Sequence, residues 1–107
     1  MSRNGYELRM LTTVNAFLEE ARQNCNCVAS YVSRVVAGRC WIASFRPEGG
    51  AATQLTVEIL PDTGEMIQVK GRYNRDPTAK ELAELAPFRD AVLARVAAAK
   101  EAGHASQ

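Results

Sequence analysis

Apolar positions along the chain first fall into a helical rhythm. Between Tyr6 and Arg22, the residues Leu8, Leu11 and Leu18, with Met10, Val14, Phe17 and Ala21, recur at three- and four-residue steps. That spacing predicts one helix with a broad buried stripe, leaving Glu19, Glu20 and Arg22 toward water. Asn4 followed by Glu7 reads as its capping box. A second helix is expected from about Cys27 to Ala37, with Val28, Tyr31, Val32 and Val35 as its stripe. Asn24 or Asn26 would cap it, and Gly38 would stop it. The pattern then changes period. Cys40 to Arg46, Gln54 to Leu60 and Glu65 to Tyr73 alternate, as strands do. Pro47-Glu48-Gly49-Gly50 and Pro61-Asp62-Thr63-Gly64 separate them as turns. Thr78 with Glu81 forms a T-x-x-E capping box for a final helical region carrying Leu82 and Leu85. A break is expected at Pro87, with a new helix from there to about Glu101 burying Phe88, Val92, Leu93 and Val96.

Short connections between consecutive strands imply an antiparallel meander. The expected fold is α+β: a three-stranded antiparallel meander with helices packed on one face, in the order α-α-β-β-β-α-α. Counting by twos puts Trp41, Ala43, Phe45, Leu55, Val57, Ile59, Ile67 and Val69 on one side, which the helices must cover. Ser44, Arg46, Gln54, Thr56, Glu58, Gln68, Lys70 and Arg72 fall on the other, expected to be open to solvent with cross-strand pairs such as Glu58 with Lys70.

Length and composition fit this picture. A chain of 107 residues, 47% apolar and 23% charged, suits a single globular domain with its own core. That domain is expected to span residues 1–107, with a core from about 5 to 101 and a frayed tail. The formal net charge of +1 supplies no global attraction to nucleic acid or anionic lipid. No apolar run approaches the ~20 residues of a membrane span. Three cysteines (Cys25, Cys27 and Cys40) without a secretory leader read as reduced thiols of a cytoplasmic protein.

Candidate chemistry is sparse. C-x-C spacing at Cys25 and Cys27, with the sole histidine at His104, does not make a zinc set, and no metal or other cofactor is expected. Cys27 at a helix N-terminus would have a lowered thiol pKa, but a nucleophile also needs a base, and only Glu58 offers itself. Lys70, Arg72 and Arg75 around Tyr73 form a local basic cluster of the kind that tracks single strands, with acidic neighbours in Glu58, Glu65 and Asp76. There is no phosphate loop and no Ser-His-Asp set.

Several segments together resemble the C-terminal part of PcfJ-like proteins, which are encoded on conjugative plasmids, phages and related elements. They are Asn26-Cys27-Val28-Ala29-Ser30-Tyr31, Gly38, Ile42 to Arg46, Leu55-Thr56-Val57-Glu58, and Ile67-Gln68-Val69-Lys70-Gly71-Arg72-Tyr73-Asn74-Arg75, covering roughly residues 17 to 78. The family pattern reads H-C-V-x-x-Y, a strand ending in Arg, T-L-E, then Q-x-x-G-x-x-N. Asn26 stands where the family has His. The resemblance implies a mobile-element origin and marks Cys27, Tyr31, Arg46, Thr56, Glu58, Gln68 and Asn74; it implies no mechanism.

The leading expectation is a small non-enzymatic module that binds a host or element-encoded protein, for example an inhibitor of host defence of the anti-CRISPR type. Its binding residues would come from Arg46, Thr56, Glu58, Gln68, Lys70, Arg72, Asn74 and Arg75. A second reading is a nucleic-acid-binding accessory protein of DNA transfer using Arg46, Lys70, Arg72 and Arg75. A third is an enzyme using the thiol of Cys27.

Overall fold

A computed structural model describes residues 1–24, 32–50 and 52–105. Among these residues five strands and three helices follow in the order β1 (Ser2–Arg3), β2 (Tyr6–Met10), α1 (Val14–Asn24), α2 (Val32–Val36), β3 (Trp41–Pro47), β4 (Leu55–Ile59), β5 (Met66–Lys70) and α3 (Ala79–Ala105), with a 3₁₀ turn at Arg72–Asn74 before α3. The sheet is antiparallel throughout and runs β1-β2-β3-β4-β5.

The expected β3–β5 meander is present, and two strands precede it where a helix is expected. Asn4 and Gly5 both have positive φ, 54° and 81°. Asn-Gly in that conformation closes a two-residue hairpin whose twist suits paired strands. The flanking Tyr6-Glu7-Leu8-Arg9-Met10 alternates apolar and polar, so it satisfies a period of two as well as a helical stripe. Pairing with β3, from Tyr6↔Pro47 to Met10↔Ala43, decides the competition. α1 starts later, capped by Thr13, whose Oγ1 accepts from Ala16 N at 3.1 Å. The beginning of the expected second helix, with Cys27 and Tyr31, lies outside the described residues, as does Cys25; within the described residues α2 is Val32–Val36.

The sheet is covered on both faces, not one. Leu8, Ala43, Phe45, Leu55, Val57 and Ile59 pack against Leu85, Phe88 and Val92 of α3. Phe45 is the centre, stacked on Tyr6 at 5.1 Å and edge-on to Phe88 at 5.5 Å. On the opposite face Leu11, Phe17, Cys40 and Ile42 form a second cluster with Ala16, Ala21, Val32 and Val35. Of the helices expected over the apolar face, α3 lies there, while α1 and α2 lie over the polar one. Ile67, placed by strict alternation on the apolar face, is exposed instead. The register slips between Glu58 and Ile59, so Met66 sits opposite Ile59 and one residue is extruded.

α3 runs unbroken through Pro87, and the expected frayed tail is helical to Ala105. Proline removes one helical hydrogen bond, a cost of ~3 kcal/mol or more in an isolated helix. Here Leu85 and Phe88, fully buried on either side of it, hold both halves to the sheet. The β4–β5 turn comes close to this helix. Gly64 has φ +80°, and a Cβ there would sit 3.0 Å from Val92 O and from Val96 Cγ2. Gly64→Ala should therefore destabilise by about 1–3 kcal/mol through backbone strain and overpacking. Urea unfolding would measure it; an unshifted midpoint would show that the turn and helix tolerate the extra carbon.

Candidate functional site

The polar strand residues are buried in a network built from α1 and β3–β4. Phe17, Glu20 and Asn24 recur at three- and four-residue steps, so the face of α1 that carries an apolar anchor also points a carboxylate and an amide at the sheet. Glu20 is 1% exposed. Its Oε2 accepts from Thr56 Oγ1 at 2.6 Å and from Thr53 Oγ1 at 2.8 Å. Its Oε1 lies 3.6 Å from Arg46 Nη2 and accepts no hydrogen bond from the described residues. Arg46 donates to Ser44 Oγ from Nε and Nη2, and Ser44 donates on to Thr53 Oγ1 at 2.8 Å. Asn24 Nδ2 donates to Thr56 Oγ1 at 2.8 Å, and Gln23 Oε1 accepts from the Thr53 amide at 2.7 Å. Burial is the largest influence on Glu20 and raises its pKa, against the lowering effect of the hydroxyls and Arg46.

Beside it Glu58 pairs with Arg34 of α2 at 2.9 Å, not with Lys70; its opposite residue on β5 is Gln68. Cys40 is fully buried, and burial followed by the neighbouring Glu58 charge pushes its thiol pKa up, the reverse of what a nucleophile needs. The site expected as one open face is thus divided. Arg46, Thr56 and Glu58 are buried together beneath α1 and α2, while Gln68, Arg72, Asn74 and Arg75 are exposed along β5 and the turn after it. Cys27 is outside the described residues. Sequence reasoning missed Glu20, Asn24 and Arg34 as partners. The 17–20–24 spacing was the available signal for the first two.

One member of the basic cluster, Arg75, is committed to holding α3. Arg75 grips Glu81 with two parallel hydrogen bonds, Nη1 to Oε1 at 2.7 Å and Nη2 to Oε2 at 2.9 Å. Gln54 Nε2 donates to Glu81 Oε2 at 2.8 Å, and the Thr78 amide donates to Oε1 at 2.9 Å. Glu81 N returns a bond to Thr78 Oγ1, completing the expected capping box. Arg75 in particular holds the Glu81 pKa down to about 2. Lys70 pairs with Asp76 at 2.7 Å, and Arg72 lies 5.3 Å from the Tyr73 ring centroid. Gly71 makes room for this arrangement: a Cβ there would fall 2.5 Å from Arg75 Cζ. Tyr73 and Asn74 adopt φ of 57° and 61°, a conformation that costs non-glycine residues energy.

A different surface is apolar and accessible. Met10 and Trp41, adjacent on the α3 side of β2 and β3, are 39% and 37% exposed. They form a ridge between two grooves of about 480 and 510 Å³. The first runs between Leu8, Met10 and Trp41 and the C-terminal half of α3 at Val92 and Val96. The second is bounded by Leu11, Val35, Val36 and Ile42. No group of three or more metal-ligating side chains occurs among the described residues, and no helix among them is long and apolar enough to cross a membrane.

No curated protein and no solved structure matches the chain. The model of the PcfJ-like protein family matches residues 1–86, which takes in the N-terminal hairpin, both faces of the buried network and α3 as far as the residue before Pro87. Most of the chain is matched, in a single stretch, and the chain belongs to the PcfJ-like protein family.

Proposed function

We propose that this chain is a protein-binding module that meets its partner through the Met10–Trp41 ridge and the two grooves beside it. One observation carries the reading: a tryptophan and a methionine stand partly exposed between two apolar depressions. Such residues dominate binding energy at interfaces, because they offer large contact area and fill a partner's pockets. Supporting it from the other side, the polar residues of the sheet are engaged within the fold. Glu20, Arg46, Thr56 and Glu58 bond to each other and to neighbouring helices, and Lys70 and Arg75 are paired with carboxylates. The partner class is a host or element-encoded protein, and inhibition of host defence is a form that such docking takes.

Trp41→Ala should weaken capture of the partner by about tenfold or more, as loss of a central aromatic anchor does. Ile67→Ser, on the far edge of the sheet, should leave it unchanged. The measurement is quantitative co-purification from cells carrying the mobile element, with both variants checked for native thermal unfolding. Equal recovery with Trp41→Ala would remove the ridge as the binding surface.

A further inference from the structure

β5 is the outer strand at the end of the sheet away from β1, and turns within the chain bound it on both sides. Its outward backbone groups follow from the strands behind it. The Leu11 amide donates to Ile42 O at 2.8 Å, so Ile42 bonds toward β2. Backbone groups alternate along an antiparallel strand, so Trp41 and Ala43 bond toward β4, to Ile59 and Val57 opposite them. Those two residues are thereby engaged with β3. The β5 residues facing them, Met66 and Val69, therefore turn their N–H and C=O outward. Neither makes an outward backbone bond among the described residues. Beyond them the Gly71 amide donates to Arg75 O at 2.9 Å, which ends the open stretch.

The bulge gives this edge a spacing of its own. A regular strand presents outward groups at every second residue. Met66 and Val69 are three apart, because Ile67 is the extra residue opposite the Glu58–Ile59 step. A regular strand cannot meet both. A second β5 running antiparallel can, in one register: Met66 opposite Val69 of the copy, and Val69 opposite its Met66. The same register sets Glu65 against Lys70 of the copy. Both side chains lie on the face away from α3, because their neighbours Met66 and Val69 pack on the α3 side. Glu65 is exposed and makes no ion pair among the described residues, while Lys70 is partly exposed beside Asp76. On the α3 side, Leu82 and Leu93 are each 37% exposed. They are about three turns apart and so share one flank of the helix. Arg95, on the opposite flank, borders the groove beside β2, which puts the leucines toward β5.

We infer that two copies of this chain join edge to edge through β5, forming one continuous antiparallel sheet about a two-fold axis between Ile67 and Gln68. An open strand edge is a template for such pairing, and an antiparallel strand meets its own copy isologously. Backbone bonds at Met66 and Val69 hold the pair. Glu65 with Lys70 at each end fixes the register, since opposite charges directly across a ladder attract and like charges repel. The Leu82–Leu93 flanks face each other across the joined edge. This goes beyond the ridge-binding reading and does not depend on it, because Met10 and Trp41 lie on β2 and β3.

Sedimentation equilibrium of the full chain from about 1 μM to about 1 mM, the range of weak association, tests it. The wild type should pass from monomer to dimer. Glu65→Lys alone and Lys70→Glu alone should each weaken the dimer on the order of tenfold, because like charges then face each other at both ends. Mixing the two variants should restore association as a mixed dimer, because every contact between positions 65 and 70 is again between opposite charges. Val69→Pro removes the outward N–H without a bond of the sheet and should abolish dimerisation. The mixing experiment decides the matter should the proline disturb folding. A wild type that stays monomeric throughout would overturn the inference. So would a dimer indifferent to all three substitutions, or a mixture of the charge variants that associates no more tightly than either alone. A dimer lost in Trp41→Ala but kept in these variants would also overturn it, by placing self-association at the ridge.

Discussion

Replacing Arg46 with methionine should lower folding stability by about 3–5 kcal/mol near neutral pH, because it leaves a buried carboxylate without its cation. Glu20 sits within the network at 1% exposure, and the Arg46 guanidinium is the cation beside it, 3.6 Å from Oε1. The loss should also depend on pH in a definite direction. Burial raises the Glu20 pKa above its ordinary 4.5, so the native state holds this proton more tightly than the unfolded chain does. The carboxyl then favours the fold when protonated, below the unfolded value of 4.5, and that contribution disappears as pH rises through the folded pKa. The gap between wild type and Arg46→Met should be widest near pH 7 and should narrow on acidification. Urea unfolding at pH 7 and pH 4 measures it. A gap that does not change with pH would mean that Arg46 acts through packing and its hydrogen bonds to Ser44 alone.

Glu81→Ala should cost about 2–4 kcal/mol, since it breaks a two-bond arginine clamp and half of a helix cap at one carboxylate. Its pH dependence has the opposite sign. The folded pKa of Glu81 is held down to about 2, against 4.5 without its partners. Its contribution is therefore complete above the unfolded pKa and is lost as pH falls toward the folded one. The gap between wild type and variant should be full at pH 6 and clearly reduced at pH 3, read from urea midpoints. A gap that persisted undiminished would assign the effect to the lost side-chain contacts and not to the charge. The two carboxylates thus act with opposite sign in adjoining pH ranges: protonation relieves the fold at Glu20 above pH 4.5 and weakens it at Glu81 below pH 4.5.

The contrast between these sites shows what was readable in advance. The Thr78–Glu81 cap is a local pattern, so its residues identify it without knowledge of the rest of the chain, and the structure contains it. Glu20 carries no comparable mark. A glutamate two-thirds along an amphipathic helix is ordinarily solvated, and its burial follows only from where α1 lies. The Tyr6–Met10 segment shows a related difficulty, because its apolar residues fit both helical and alternating periods. The Asn4-Gly5 turn favours a hairpin, yet Asn4 with Glu7 also matches a helix cap, so two local signals compete and the pairing with β3 settles them. Cys40 packs as a small apolar residue, fully buried.

From its sequence alone the chain specifies a β3–β4–β5 meander, the Pro61–Gly64 turn, the apolar face formed by Ala43, Phe45, Leu55, Val57 and Ile59, and a resemblance to its family. These depend on alternation and on turn chemistry, which act over a few residues. Tertiary structure alone decided that α1 and α2 cover the polar face, that Arg46, Thr56 and Glu58 are buried, that Pro87 leaves α3 continuous, and that Met10 and Trp41 remain accessible. Periodicity says which side chains share a face but not which element will lie against it. That choice depends on contacts between residues far apart in the chain, such as Glu20 with Thr56 and Gly64 with Val96.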